Sequence, residues 1–110
     1  MSEATAQMIV TCRIDPSNKA ALVHYITHAR PLFAQYGGRP SGQYVVQSSI
    51  TGSSDTTHII VMEFPSADAI RAVMADEAYQ ALIPARTLAF PTLDILIAAP
   101  FEPASLTNPA

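Results

Sequence analysis

Six side chains in this sequence are of types that hold anions or move protons and stand next to apolar motifs: Tyr25, Arg39, His58, Glu63, Tyr79 and Arg86. Glu63 lies in the apolar run THIIVMEF, residues 57–64. A carboxylate buried there must be paired, or neutral with a raised pKa. It is therefore a candidate general acid or base, or the partner of Arg13, Arg39 or Arg86. Arg39 follows two glycines, Gly37 and Gly38, at the end of an apolar-striped segment. A guanidinium on a short rigid loop can grip a carboxylate bidentately, so Arg39 is either an anion anchor at a pocket mouth or half of an ion pair.

Tyr79 and Arg86 share a helical face with Leu82, Ile83 and Phe90. From that face Tyr79 could donate to a substrate oxygen, and Arg86 could neutralise an enolate or carboxylate. The plainer roles are a core aromatic with its hydroxyl at the rim, and a tie between helix and sheet. His58 enters the same strand as Glu63 with nothing in sequence to pair it, as a polar cap or a pocket base. The expected catalytic set is Glu63, Tyr79 and His58. The expected ligand-binding set is Arg39, Arg86 and Tyr25, with Arg39 and Arg86 pointing to one pocket and Glu63 as their nearest carboxylate.

Metal and cofactor chemistry find no footing. His24 and His28 have the i, i+4 spacing of helical metal ligands, but no Glu or Cys stands in register and both fall opposite the apolar face, so a solvated face is expected. Cys12 is the single cysteine, which excludes an internal disulfide and reads as a small buried hydrophobe. No G-x-G-x-x-G, Walker, G-x-S-x-G or C-x-x-C motif occurs, so nucleotide, flavin and triad readings lack support and no cofactor is expected.

The elements that must position these residues follow from periodicity. Residues 8–14 (MIVTCRI) predict a strand. Asp15 and Pro16 open a helix over about 16–36, with Leu22, Tyr25, Ile26, Ala29 and Phe33 on its core face. Pro31 inside it should kink the helix or split off its last turn, and Gly37 suits the left-handed position that ends it. Strands are predicted over 43–51 and 57–64, paired antiparallel across turn residues Gly52–Asp55. Ser66 caps a helical region over about 66–90. There Ile70, Val73 and Met74 point away from Tyr79, which requires a break near Ala75–Glu77 with Asp76 capping the second part. Residues 93–99 form the last strand.

The order β-α-β-β-α-β predicts an α+β, ferredoxin-like fold: a four-stranded antiparallel sheet with two helices on one face. The expected organisation is an N-terminal tail at 1–7, one domain over 8–99 and a Pro-rich, irregular tail over 100–110.

The other face of that sheet needs a partner. Ile59 and Val61 oppose Ile60, Met62 and Phe64, and Leu96 and Ala98 oppose Leu93, Ile95 and Ile97, so both faces carry apolar side chains. Of 110 residues only 14% are charged, against about 25% in a typical soluble domain. Both facts point to a homodimer through the open sheet face. The net charge of −3 comes with six basic residues spread singly, which excludes a nucleic-acid footprint. No run reaches the roughly 20 apolar residues of a membrane span. MSEATAQ lacks the basic and apolar regions of a signal peptide. A cytoplasmic setting is expected.

Three runs, FAQYGGRP, VMEFPSADAIRAVM and EAYQALIPARTLAF, in this order and spacing, resemble the domain of unknown function 1330 family over roughly residues 8–98. The resemblance implies the dimeric α+β barrel fold and no established reaction. The wider superfamily includes cofactor-independent oxygenases, isomerases and haem-handling enzymes. Two functional readings follow. One is a cofactor-free enzyme working by oxygenase- or isomerase-like proton transfer on a small anionic or aromatic compound. The other is a non-catalytic ligand-binding or structural homodimer in which the same residues form ion pairs. Convergence of Glu63, Tyr79, Arg39 and Arg86 on one open pocket would favour the first.

Overall fold

The computed structural model describes residues 5–107. Strand β1 (Ala6–Arg13) alternates buried and half-buried residues along its length. Ala6, Met8, Val10 and Cys12 face the core, and Gln7, Ile9, Thr11 and Arg13 face the other way. β1 is central because it pairs on both sides, with β3 (His58–Phe64) and β4 (Thr92–Ala98). β2 (Arg39–Val45) adds to the outer edge of β3. The sheet order is β2-β3-β1-β4 and every pairing is antiparallel, which is the expected ferredoxin-like sheet.

Asp15 accepts from the backbone of Ser17 at 2.9 Å and starts a 3-10 turn, Pro16–Asn18, that leads into α1 (Lys19–Gln35). Pro31 lies inside α1, and of the two outcomes expected there, a kink or a split-off last turn, the split does not occur. The carbonyl that Pro31 leaves without its helical partner belongs to Thr27. Both residues are exposed, so water can take up that carbonyl. The helix ends as the two glycines demand. Gly37, at φ +84°, and Gly38 donate to the carbonyls of Ala34 and Phe33 at 3.0 and 2.8 Å. Gly38 must also stay bare, because a methyl there would stand 2.6 Å from Cε2 of the fully buried Phe64.

The region predicted as one interrupted helix is three: α2 (Ala67–Ala75), α3 (Glu77–Gln80) and α4 (Ile83–Ala89). Ser66 caps α2 through the Ala69 amide at 3.1 Å, and Asp76 caps α3 through the Ala78 amide at 2.8 Å. Each break resets the angular phase, so Ile70 and Tyr79 are both about 1% exposed although one continuous helix would oppose them. Pro84 opens α4 in its first turn, where its missing N–H costs nothing.

Three boundaries differ from expectation. β1 starts at Ala6, inside the expected tail of residues 1–7, because Ala6 and Gln7 pair with Phe64 and Glu63 of β3. β2 covers 39–45, not 43–51. It starts directly after the helix cap, tolerates Pro40 because it is an edge strand, and carries a bulge between Pro40 and Gly42. Beyond Val46, which still donates to the carbonyl of Thr57, the ladder ends. Ser49 and Ser54 hydroxyls bond nearby backbone instead, the local competition that serines offer to a strand. In the tail expected to be irregular, one helical turn, α5 (Ala104–Thr107), forms; residues 108–110 and 1–4 lie outside the described residues.

The core fills the space between sheet and helices around Met8, Phe64, Ile70, Val73 and Tyr79. Phe33 meets Phe64 edge-on, with ring centres 6.2 Å apart. The opposite face of the sheet presents Ile9, Ile59, Val61, Leu96 and Tyr44, the last two 50% and 57% exposed.

Candidate functional site

Between α1 and the helix-side face of the sheet lies an open-mouthed chamber of about 130 Å³. Met8, Ile60, Met62 and Ile95 supply its sheet side, and Leu22, Ile26, Ala29 and Phe33 its helix side. Both sets follow from period: alternate residues of three strands, and the i, i+3, i+4 stripe of α1. An apolar cavity of about 150 Å³ accommodates a benzene ring, so this chamber is ring-sized. Its polar lining comes from Tyr25, Arg30 and Gln43.

Tyr25 is the inner polar group and heads a relay. Its hydroxyl lies 2.7 Å from that of Tyr79, and Arg86 Nη1 donates to the Tyr79 oxygen at 3.1 Å. The Arg86 guanidinium carbon also stands 5.7 Å from the centre of the Tyr79 ring, within cation–π range. Arg86 can only donate. Tyr79 is almost wholly buried, so its own hydrogen is satisfied only if it points to Tyr25. With that direction the Tyr25 hydrogen has no protein acceptor, on a residue that borders the chamber. Burial pushes the Tyr25 phenol far above the ordinary tyrosine range. At neutral pH it is a donor and not a base.

Of the sequence-predicted residues, the fold brings together Tyr25, Tyr79 and Arg86 in one place and Arg39 with Glu63 in another, and His58 joins neither group. The expected convergence of Arg39 and Arg86 around Glu63 does not form. Alternation along β3 places Glu63 with Ile59 and Val61 on the open face. Arg39 stands directly across from it and pairs with it there, Nε donating to Oε1 at 3.1 Å. The Arg39 side chain is 76% exposed. His58 is not in the chamber wall either. It faces Cys12 across the ladder, and its Nδ1 lies 2.8 Å from Thr57 Oγ1. The Cys12 thiol donates weakly to the His58 carbonyl at 3.7 Å, and burial raises its pKa. His24 and His28 stack at 4.4 Å on the exposed face of α1. No cluster of three or more His, Cys, Asp or Glu suited to a metal occurs among the described residues.

Sequence reasoning missed Arg30 and Gln43. Arg30 follows Ile26 by four residues, a signal that was present. Gln43 was hidden, because counting in twos from Arg39 puts it on the open face. The bulge between Pro40 and Gly42 inverts that count and turns Gln43 to the helices, opposite Ile60.

A family model described as "Domain of unknown function (DUF1330)" matches residues 5–99. No curated protein matches the chain. Among solved structures, a protein of unknown function from Rhodopseudomonas palustris is similar, with 22% identity, a TM-score of 0.77, and coverage of 92% of this chain and 85% of that one. A protein described as dimeric, of unknown function and ferredoxin-like fold, from Bacteroides fragilis is 8% identical at TM-score 0.61, covering 90% of this chain and 99% of that one. A cofactor-independent oxygenase from Streptomyces nogalater is 10% identical at TM-score 0.64, covering 91% and 96%. At these identities the likeness shows the fold alone. No helix among the described residues is long and apolar enough to cross a membrane.

Proposed function

The chain belongs to the DUF1330 family, and from that premise we propose that it is a small-molecule-binding homodimer. Its chamber takes one ring-sized, mostly apolar compound and reads an oxygen acceptor on it through Tyr25. The observation that carries this reading is the buried phenol pair beside the chamber: Arg86 donates to Tyr79, the Tyr79 and Tyr25 hydroxyls share a 2.7 Å hydrogen bond, and with Tyr79 as its donor the Tyr25 hydrogen is left for a ligand. A mostly apolar pocket with a few placed polar groups is the ordinary build of a ligand site.

The same geometry weighs against the proton-transfer enzyme. Among the described residues that line the chamber there is no carboxylate and no imidazole. Glu63 and His58, the candidate bases, are engaged elsewhere. Tyr25 could stabilise a developing oxyanion, but a substrate would have to lose its proton without help from the chamber wall.

The homodimer reading rests on the open sheet face. Ile9, Ile59, Val61 and Leu96 form an apolar centre, with Arg39–Glu63 beside it at the β2 edge. Low charge content supports it, as does the description of the Bacteroides fragilis structure as dimeric. A sheet-to-sheet contact leaves the chamber free, since the chamber lies on the helix side. The lone, buried Cys12 suits a reducing, cytoplasmic setting.

Calorimetric titration with acetophenone and ethylbenzene tests the binding reading. The two match in size, and only acetophenone carries an oxygen acceptor. Acetophenone should bind more tightly, Tyr25→Phe should erase the difference, and Ile26→Trp, placed at a partly exposed wall position, should block both. Equal binding of the two by the wild type, or no binding at all, would contradict the proposal.

A further inference from the structure

The chamber has two polar ends of different kinds. Tyr25 supplies a neutral donor, and Arg30 supplies a full charge at the solvent-exposed part of the wall. Arg30 stands apart from the other arginines. Arg13 pairs with Asp55, Arg39 with Glu63 and Arg71 with Asp68, and Arg86 is engaged by Tyr79. Arg30 has neither a carboxylate nor an aromatic partner among the described residues, and no acidic residue shares the chamber wall with it.

An arginine carries five donors in a planar fork that matches a carboxylate. Left unpaired beside an apolar chamber, it makes the mouth locally positive in a chain whose net charge is negative. Arg30 follows Tyr25 by five residues, about 140° further round the helix, so the two flank the chamber from either side of the α1 stripe that faces it.

We infer that the ligand is a ring-sized monocarboxylate that also carries an oxygen acceptor, with its ring in the chamber, the acceptor at Tyr25 and the carboxylate held outside by Arg30. The inference rests on the reading of the chamber as a ligand site and adds the charge of the ligand to it. A dicarboxylate would have to bury its second charge in an apolar chamber and is rejected. A neutral amide keeps the ring but loses the ion pair.

Benzoate and benzamide, titrated calorimetrically into wild type and Arg30→Gln, test this. The expected result is that benzoate binds the wild type about tenfold more tightly than benzamide. Arg30→Gln should remove that preference by weakening benzoate far more than benzamide. Raising the salt concentration should narrow the preference, because Arg30 is exposed. Arg30 is a surface residue, and circular dichroism of the variant should match the wild type. If benzamide binds as well as benzoate, or Arg30→Gln leaves benzoate unaffected, the carboxylate assignment is overturned while the chamber reading survives. If neither compound binds, both are overturned.

Discussion

Replacing Arg86 by Leu removes the charged end of the relay while keeping an aliphatic stem. Two interactions are lost. One is the 3.1 Å hydrogen bond to Tyr79, which contributes about 1 kcal/mol net at a partly buried site. The other is the cation–π contact at 5.7 Å, near the outer limit of useful range and contributing about 0.5–1 kcal/mol. Tyr79 keeps Tyr25 as a partner, so no buried hydroxyl is orphaned and no larger penalty applies. Arg86→Leu should therefore destabilise the fold by about 1.5–2 kcal/mol. At roughly 4 °C per kcal/mol for a domain of this size, Tm should fall by about 6–8 °C. Protein concentration must be held fixed, because Tm of an assembly depends on it. Tyr79→Phe alone removes the bond to Arg86 and also the 2.7 Å bond to Tyr25, and should cost about 2 kcal/mol. Because the two changes remove the same hydrogen bond, the double variant should be less destabilised than the sum, with a coupling of about 1 kcal/mol. Additivity to within about 0.3 kcal/mol, or an unchanged Tm for Arg86→Leu, would refute the relay.

Two further expectations test other parts of the molecule. Val61→Asp puts an unpaired carboxylate at the centre of the open sheet face, so light scattering at micromolar concentration should change from twice the chain mass to a single chain, or the variant should unfold. The Tyr36 hydroxyl donates to Asp76 at 2.5 Å, and with the Ala78 amide it holds the Asp76 carboxyl below its ordinary range. A depressed folded pKa stabilises the fold above the unfolded value of about 4 and ceases to do so as pH falls through the folded value. Tyr36→Phe should therefore lower Tm at pH 7 and lower it less at pH 3; an equal loss at both would refute the linkage.

The fold was legible because its signals are local. β-branched runs, the Asp15, Ser66 and Asp76 caps and the Gly37–Gly38 stop each act over a few residues, and the angular conflict between Ile70 and Tyr79 revealed a helix break without any structure. The open apolar face was equally readable, since alternation in β3 and β4 leaves too many apolar residues for one covered side. The site was legible only in part. Tyr79 and Arg86 are seven residues apart on the chain, and their contact is a property of the α3–α4 region. The Tyr25–Tyr79 bond joins residues 54 apart in sequence, and nothing local encodes it. Glu63 sits in an apolar run, which reads as a setting for a base. Its pairing with Arg39 depends on the β2–β3 register, and that register starts at the helix cap four residues earlier than the apolar pattern of 43–51 suggested. Gln43 depends on a bulge, which no alternation pattern can disclose.

Methyl-resolved NMR with a ring-bearing ligand tests the central claim most directly, because an aromatic ring shifts the methyl signals it faces. Met8, Met62, Ile60 and Ile95 line the chamber, whereas Ile9, Ile59 and Leu96 lie on the opposite face of the same sheet. Titrating benzoate into methyl-labelled protein should shift the first group progressively and leave the second in place. Shifts confined to Ile9, Ile59 and Leu96 would place any ligand on the open sheet face, and together with unmoved chamber methyls they would contradict the account.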